Sequence, residues 1–113
     1  MCTKNELQMI LSAMADTAKE SFGDKLEAVI LYGSYARGDY TSESDVDIMV
    51  LVKEIAPEEL WKYKKPIICA ESALGLRYDM VISVTVKDIE TFNKYCDVLP
   101  FYQNVMKEGV KVA

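Results

Sequence analysis

Apolar residues near the start of the chain recur at helical spacing. Leu7, Ile10, Leu11, Met14, Ala15 and Ala18 fall on one helix face. Ahead of them, Thr3-Lys4-Asn5-Glu6 has the pattern of a capping box, with Thr3 as N-cap and Glu6 at the third helical position. This predicts a helix from Lys4 to Ser21, stopped near Gly23. The pattern then changes. Leu26–Tyr32 is short, apolar and β-rich, and reads as a buried strand ended by Gly33. Ser34–Arg37 has room for one helical turn before Gly38, and Asp39–Ser44 is polar and turn-like. Val46–Val52 reads as a second strand. Pro57-Glu58-Glu59 opens a helix with Pro at its first position and acids in its first turn. That helix is expected to reach Leu74, kinked or divided at Pro66 and closed by Gly75. Tyr78–Val84 reads as a third strand, and Lys87–Cys96 and Pro100–Lys107 as two short helices, the second stopped by Gly109. The order predicts an α/β (α+β) fold, a three-stranded sheet backed by helices with one face left open.

At 113 residues the chain is expected to form a single domain, residues 1–113. Half of its residues are hydrophobic and 27% are charged, which is a globular and not a disordered composition. The formal charge of −5 argues against direct nucleic-acid binding, which relies on Lys and Arg neutralising phosphates. Histidine is absent, which removes the usual general base and the usual ligand for zinc or copper. Acid–base or metal chemistry must then run on carboxylates, which suit a hard cation such as Mg²⁺. Cys2, Cys69 and Cys96 are odd in number and lack a CxxC spacing. They fit reduced thiols in a cytoplasmic protein, with Cys69 and Cys96 as packing residues. No apolar run is long enough to span a bilayer, and Glu6 and Asp16 interrupt any signal-peptide pattern.

The chemistry concentrates between Gly33 and Val50. Side chains alternate across a strand, so Asp45 and Asp47 share a face, their Cα atoms roughly 7 Å apart at a rise of about 3.3 Å per residue. Carboxylates so placed can lean onto metals held about 3.5–4 Å apart, as in two-metal phosphoryl-transfer sites. Asp79 interrupts the otherwise apolar third strand, where an acid is costly to bury without a partner. With that strand beside the second, Asp79 completes a three-carboxylate cluster. Such acids repel one another until cations neutralise them. Mg²⁺ favours a few carboxylates plus substrate phosphate oxygens over a closed protein cage, so the pattern fits a nucleoside triphosphate and its metals. The Gly33-Ser34 turn supplies the other half. Glycine lets backbone approach an anion, the Ser34 hydroxyl and nearby N–H groups can donate to phosphate, and Arg37 adds a charge clamp. Each piece alone has a plainer reading: Asp-x-Asp as solvated charge or a helix cap, Gly-Ser as an ordinary turn, Arg37 as a surface residue. The argument lies in their combination.

Gly33-Ser34, ten residues, then Asp45-x-Asp47 resembles the signature of the DNA polymerase β-like nucleotidyltransferase superfamily. The fuller string, with Ala36, Arg37, Gly38, Ser44 and Val50, resembles the minimal nucleotidyltransferases (MNT). The resemblance implies a small mixed sheet of three or four strands with helices on one side. It implies two Mg²⁺ ions on Asp45, Asp47 and Asp79, with Asp79 helping to deprotonate the acceptor. It implies attack on the α-phosphate of ATP, with pyrophosphate leaving. It also implies a partner, a helical HEPN-type toxin, to one tyrosine of which the antitoxin transfers AMP.

Three readings of function follow. The first is a protein adenylyltransferase acting as antitoxin. The second is an antitoxin that masks its partner without catalysis, using aromatic anchors drawn from Tyr35, Tyr40, Trp61, Tyr63, Tyr95, Phe101 and Tyr102. The third is nucleotidyl transfer to a small molecule such as an antibiotic, against which the short chain counts, since larger family members add a helical domain for such substrates. A second copy of the chain, as a homodimer, could also complete the acceptor site.

Overall fold

The computed structural model of the chain describes residues 3–113. Cys2 lies outside them. The capping box forms: the Thr3 hydroxyl accepts from the Glu6 amide at 3.1 Å, and the Glu6 carboxylate accepts from the Thr3 amide at 3.0 Å. It starts helix α1, Lys4–Phe22, which a 3₁₀ turn joins to strand β1, Leu26–Tyr32. One helical turn, α2, Ser34–Arg37, and a polar loop lead to β2, Val46–Val52. Helix α3, Leu60–Tyr78, precedes β3, Ile82–Asp88. Two short helices, α4, Ile89–Tyr95, and α5, Pro100–Glu108, and a final two-residue strand β4, Val110–Lys111, complete the chain. Among the described residues no helix is long and apolar enough to cross a membrane.

The sheet has the order β3-β2-β1-β4. Strand β1 pairs antiparallel with β2 and with β4, while β3 runs parallel to β2, so the sheet is mixed. Six of the seven β2 residues are buried; the exception is Asp47. Side-chain alternation splits the core in two. On one face, Val29, Leu31, Ile48, Val50 and Val86 pack with Ile10, Met14 and Phe22 of α1 and Ile67 of α3. On the other, Met49 and Leu51 pack with Phe92 and Cys96 at α4 and Tyr102 and Val105 of α5. Helices therefore pack on both faces, α1 and α3 on one and α4 and α5 on the other, and the face expected to stay open is covered at Met49, Leu51 and the β1 residues beside them.

Four expectations change along α3 and β3. The helix opens at Leu60, not at Pro57, and carries no acid in its first turn. Pro66 neither divides nor ends the helix. It is exposed, so the carbonyl it leaves without an intrahelical donor faces water. Gly75 does not close the helix either. A Cβ there would meet the Met80 carbonyl at 2.9 Å, and the Met80 amide donates to the Gly75 carbonyl at 3.0 Å. Its smallness lets the exit loop fold back on the last turn. Strand β3 begins four residues later than expected because Tyr78 stays helical and Asp79 takes the left-handed cap position, φ 53° and ψ 50°. Cys69, expected to pack, is exposed, whereas Cys96 is buried. Asp88, expected inside a helix, is the N-cap of α4, its carboxylate accepting from the Glu90 and Thr91 amides at 3.0 and 3.2 Å.

Ile48 is fully buried at the centre of the sheet. Ile48→Ala is expected to lower unfolding free energy by about 2–5 kcal/mol in urea denaturation; a loss near zero would show that the α1/α3 layer does not bear on β2.

Candidate active site

Strands β1 and β2 bring the turn and the carboxylates together. Their antiparallel register sets Tyr32 opposite Asp47, so Gly33, the next residue, comes against the Asp47 side chain. Gly33 has φ 77°, a backbone region that disfavours side chains, and a Cβ built there would overlap the Asp47 carboxylate. The amides of Ala36 and Arg37 both donate to the Gly33 carbonyl at 3.1 Å, which turns the chain into α2 with Ser34, half-buried, as its first residue.

Asp47 lies on the same face as Met49 and Leu51, one step beyond the cover of α4 and α5. It is half-buried, and Asp45, just ahead of β2, is exposed. Burial, then the charge of Asp45, push the Asp47 carboxyl above its ordinary value, while Arg37 pulls it partly back. Desolvation and the neighbouring charge together outweigh Arg37, so the ionised form of Asp47 is held at a cost. Arg37 is exposed. Its Nε donates to Asp39 Oδ2 and Oδ1 at 3.1 and 3.3 Å, and its Nη1 donates to Glu108 Oε2 at 3.0 Å.

Asp79 is the expected member that the structure does not bring in. It is not on a strand; it caps α3 and is exposed. In the parallel register, the position beside Asp47 belongs to Ser83, and the Val46 amide donates to the Val81 carbonyl at 2.9 Å. Asp79 therefore stands beyond the start of β3, at the same end of the sheet as the pair. Among the described residues no group of three Asp, Glu, Cys or His side chains is placed to hold a metal ion.

Tyr32 is the residue that sequence reasoning missed. It ends the expected buried strand, yet it stands half-buried beside Asp47 with its ring edge-on to Phe101 at 5.7 Å. Burial raises its hydroxyl above the ordinary tyrosine value; a hydrogen bond with Thr85 offsets part of this, and Asp47 adds to it. The strand ending at a Gly-Ser turn, paired back on Asp-x-Asp, is the signal that could have found it. A surface cavity of about 420 Å³ lies at the opposite end of β2, lined by Val52, Glu54, Ile55, Leu60, Asp88 and Glu90. It is remote from the carboxylate pair, whose chemistry is a better guide to function than cavity size.

Residues 11–112 match the family described as nucleotidyltransferase domain. A Methanocaldococcus jannaschii protein, provisionally named a protein adenylyltransferase, is 51% identical over 91 residues, 79% of this chain and 81% of its own length. Protein adenylyltransferase MntA of Thermococcus cleftensis is 37% identical over 87 residues, 77% of this chain and 84% of that protein. Among solved structures, a toxin-antitoxin with AMP-PNP superposes with a TM-score of 0.56 at 20% identity, covering 91% of this chain and 72% of that one, which is a likeness of fold.

Two outcomes are expected of the protein alone. Gly33→Ala should cost about 2 kcal/mol or more, from left-handed strain plus displacement of Asp47; unchanged urea stability would contradict the close approach. An acid with a raised value binds its proton more tightly when folded. Its contribution therefore favours the fold at low pH and is lost as pH rises through the raised value. Asp47→Asn removes that ionisation, so in EDTA it should melt above the parent at pH 7, with the gap closing as pH falls below the carboxylate range. A lower melting temperature at pH 7 would refute the repulsion.

Proposed function

This chain belongs to the nucleotidyltransferase domain family, and we propose that it transfers AMP from ATP to a hydroxyl, that of a tyrosine on a partner HEPN-type toxin, acting as a cytoplasmic antitoxin. The observation that carries this reading is the approach of the Gly33 turn to the Asp47 carboxylate, which sets a phosphate-compatible backbone beside paired acids. Two carboxylates at the margin of a packed face, repelling one another, suit Mg²⁺, which takes one or two carboxylates together with substrate phosphates. Asp45 and Asp47 would hold it. When bound, the metal would neutralise charge at the α-phosphate and lower the acceptor pKa.

The chain's own residues bind and orient. Gly33 admits the phosphates close to backbone, Ser34 donates from its hydroxyl, and Arg37 grips phosphate oxygen through charge-assisted bonds. Asp47, fixed on β2, holds the reacting end in one position, and positioning is much of what such transfer requires. Asp79 would serve as third carboxylate and take the acceptor proton from the end of the sheet it shares with the pair, beyond the start of β3.

The named relatives support this reading, since two of them are called protein adenylyltransferases. Masking by binding remains a second reading, favoured by the exposed Trp61, Ile68 and Leu76 on α3. The test is incubation with Mg²⁺-ATP and the protein encoded beside this chain's gene. The partner should gain the mass of AMP on a tyrosine, and Asp45→Asn, Asp47→Asn or Asp79→Asn should slow this by several powers of ten. A partner neutralised equally well by Asp47→Asn, with no added mass, would replace catalysis with masking.

A further inference from the structure

The C-terminal corner plants an acid on the proposed phosphate-binding turn. Glu108 is the last residue of α5, where the helix dipole disfavours a negative charge, so its place needs another partner. That partner is Arg37, whose Nη1 donates to it at 3.0 Å across 71 residues of sequence. The corner is held tightly. A Cβ on Gly109 would overlap the Val105 carbonyl and the Ile30 side chain, so only glycine lets the chain pass this close to β1. Beyond it, β4 pairs with Ile30 and Leu31, and the Val112 amide donates to the Val29 carbonyl at 2.7 Å.

We infer that Glu108 is a positioning residue for Arg37: it holds the guanidinium beside the Gly33–Gly38 turn in the free chain and gives it up to the phosphates of an incoming nucleoside triphosphate. This rests on the reading of the site as nucleotide-binding. The two side chains are 41% and 33% exposed, so the pair is a surface bridge that costs little to open. Phosphate offers guanidinium a stronger, two-pronged partner. Asp39, on the Nε edge at 3.1 Å, keeps the side chain from swinging away while Nη1 changes partner. No bond to carbon or phosphorus is made or broken; one charge-assisted hydrogen bond replaces another, and the Glu108 carboxylate is released to water.

The experiment is calorimetric titration of the full chain with Mg²⁺-ATP in four forms: parent, Glu108→Gln, Arg37→Ala and the double variant. Glu108→Gln leaves the α5 core contacts of Tyr102 and Val105 in place. It should bind ATP about twofold to fivefold tighter, the range of a surface ion pair removed as competitor. Arg37→Ala should bind more weakly, and Glu108→Gln should add nothing to it. Amide exchange at Val112 should quicken when the parent binds ATP, since the corner loses its tether. Unchanged or weaker binding by Glu108→Gln overturns the inference. So does an equal gain in the Arg37→Ala background, which would be a general effect of removing negative charge. A parent that does not bind ATP at all removes the nucleotide reading itself, and this inference with it.

Discussion

The contact between the Gly33 backbone and the Asp47 carboxylate organises this molecule. It exists because β1 and β2 pair antiparallel with Tyr32 opposite Asp47, so the first residue past the strand meets a side chain aimed out of the sheet. No residue with a Cβ fits there without moving the acid. The turn that follows, α2, is consequently anchored to the strand that carries the carboxylates, and the two halves of the site share one rigid base.

The second constraint is uneven cover. Strand β2 is buried on both faces for most of its length, as a central strand must be, but its apolar packing with α4 and α5 ends at Met49. The next residue on that face, Asp47, is thereby neither in the core nor in bulk water. Half-burial makes its charge costly, Asp45 adds repulsion, and Arg37 compensates only in part. The raised carboxyl of Asp47 arises from where this apolar packing ends, as much as from the acids themselves.

Much of this was legible in the sequence. The Thr3/Glu6 box, the limits of β1 and β2, the turn Ser34–Arg37 and the Asp-x-Asp pair are set by local chemistry, and local chemistry is what a sequence displays. The position of β3 was not. From Tyr78 to Val86 the apolar alternation has period two, so a strand begun at Tyr78 and one begun at Ile82 put the same alternate residues on the core face. The choice is made by the end of α3, where Asp79 adopts a left-handed cap, and that depends on packing. The same shift explains why Asp79 is off the ladder while Ser83 stands beside Asp47. Strand β4 and the Arg37–Glu108 bond were illegible for a different reason: each joins segments about 70–80 residues apart, with no periodicity to betray them.

The mixed sheet also bears on the order of assembly. The nearest β1–β2 pair, Tyr32 with Asp47, closes a loop of 15 residues, whereas Val46 with Ile82, across the parallel ladder, closes one of 36. Shorter closure loses less chain entropy, and a hairpin needs no crossover helix. The antiparallel pair thus closes at the lower entropic cost, and the acidic strand meets its glycine bend through a hairpin that asks nothing of α3 or β3.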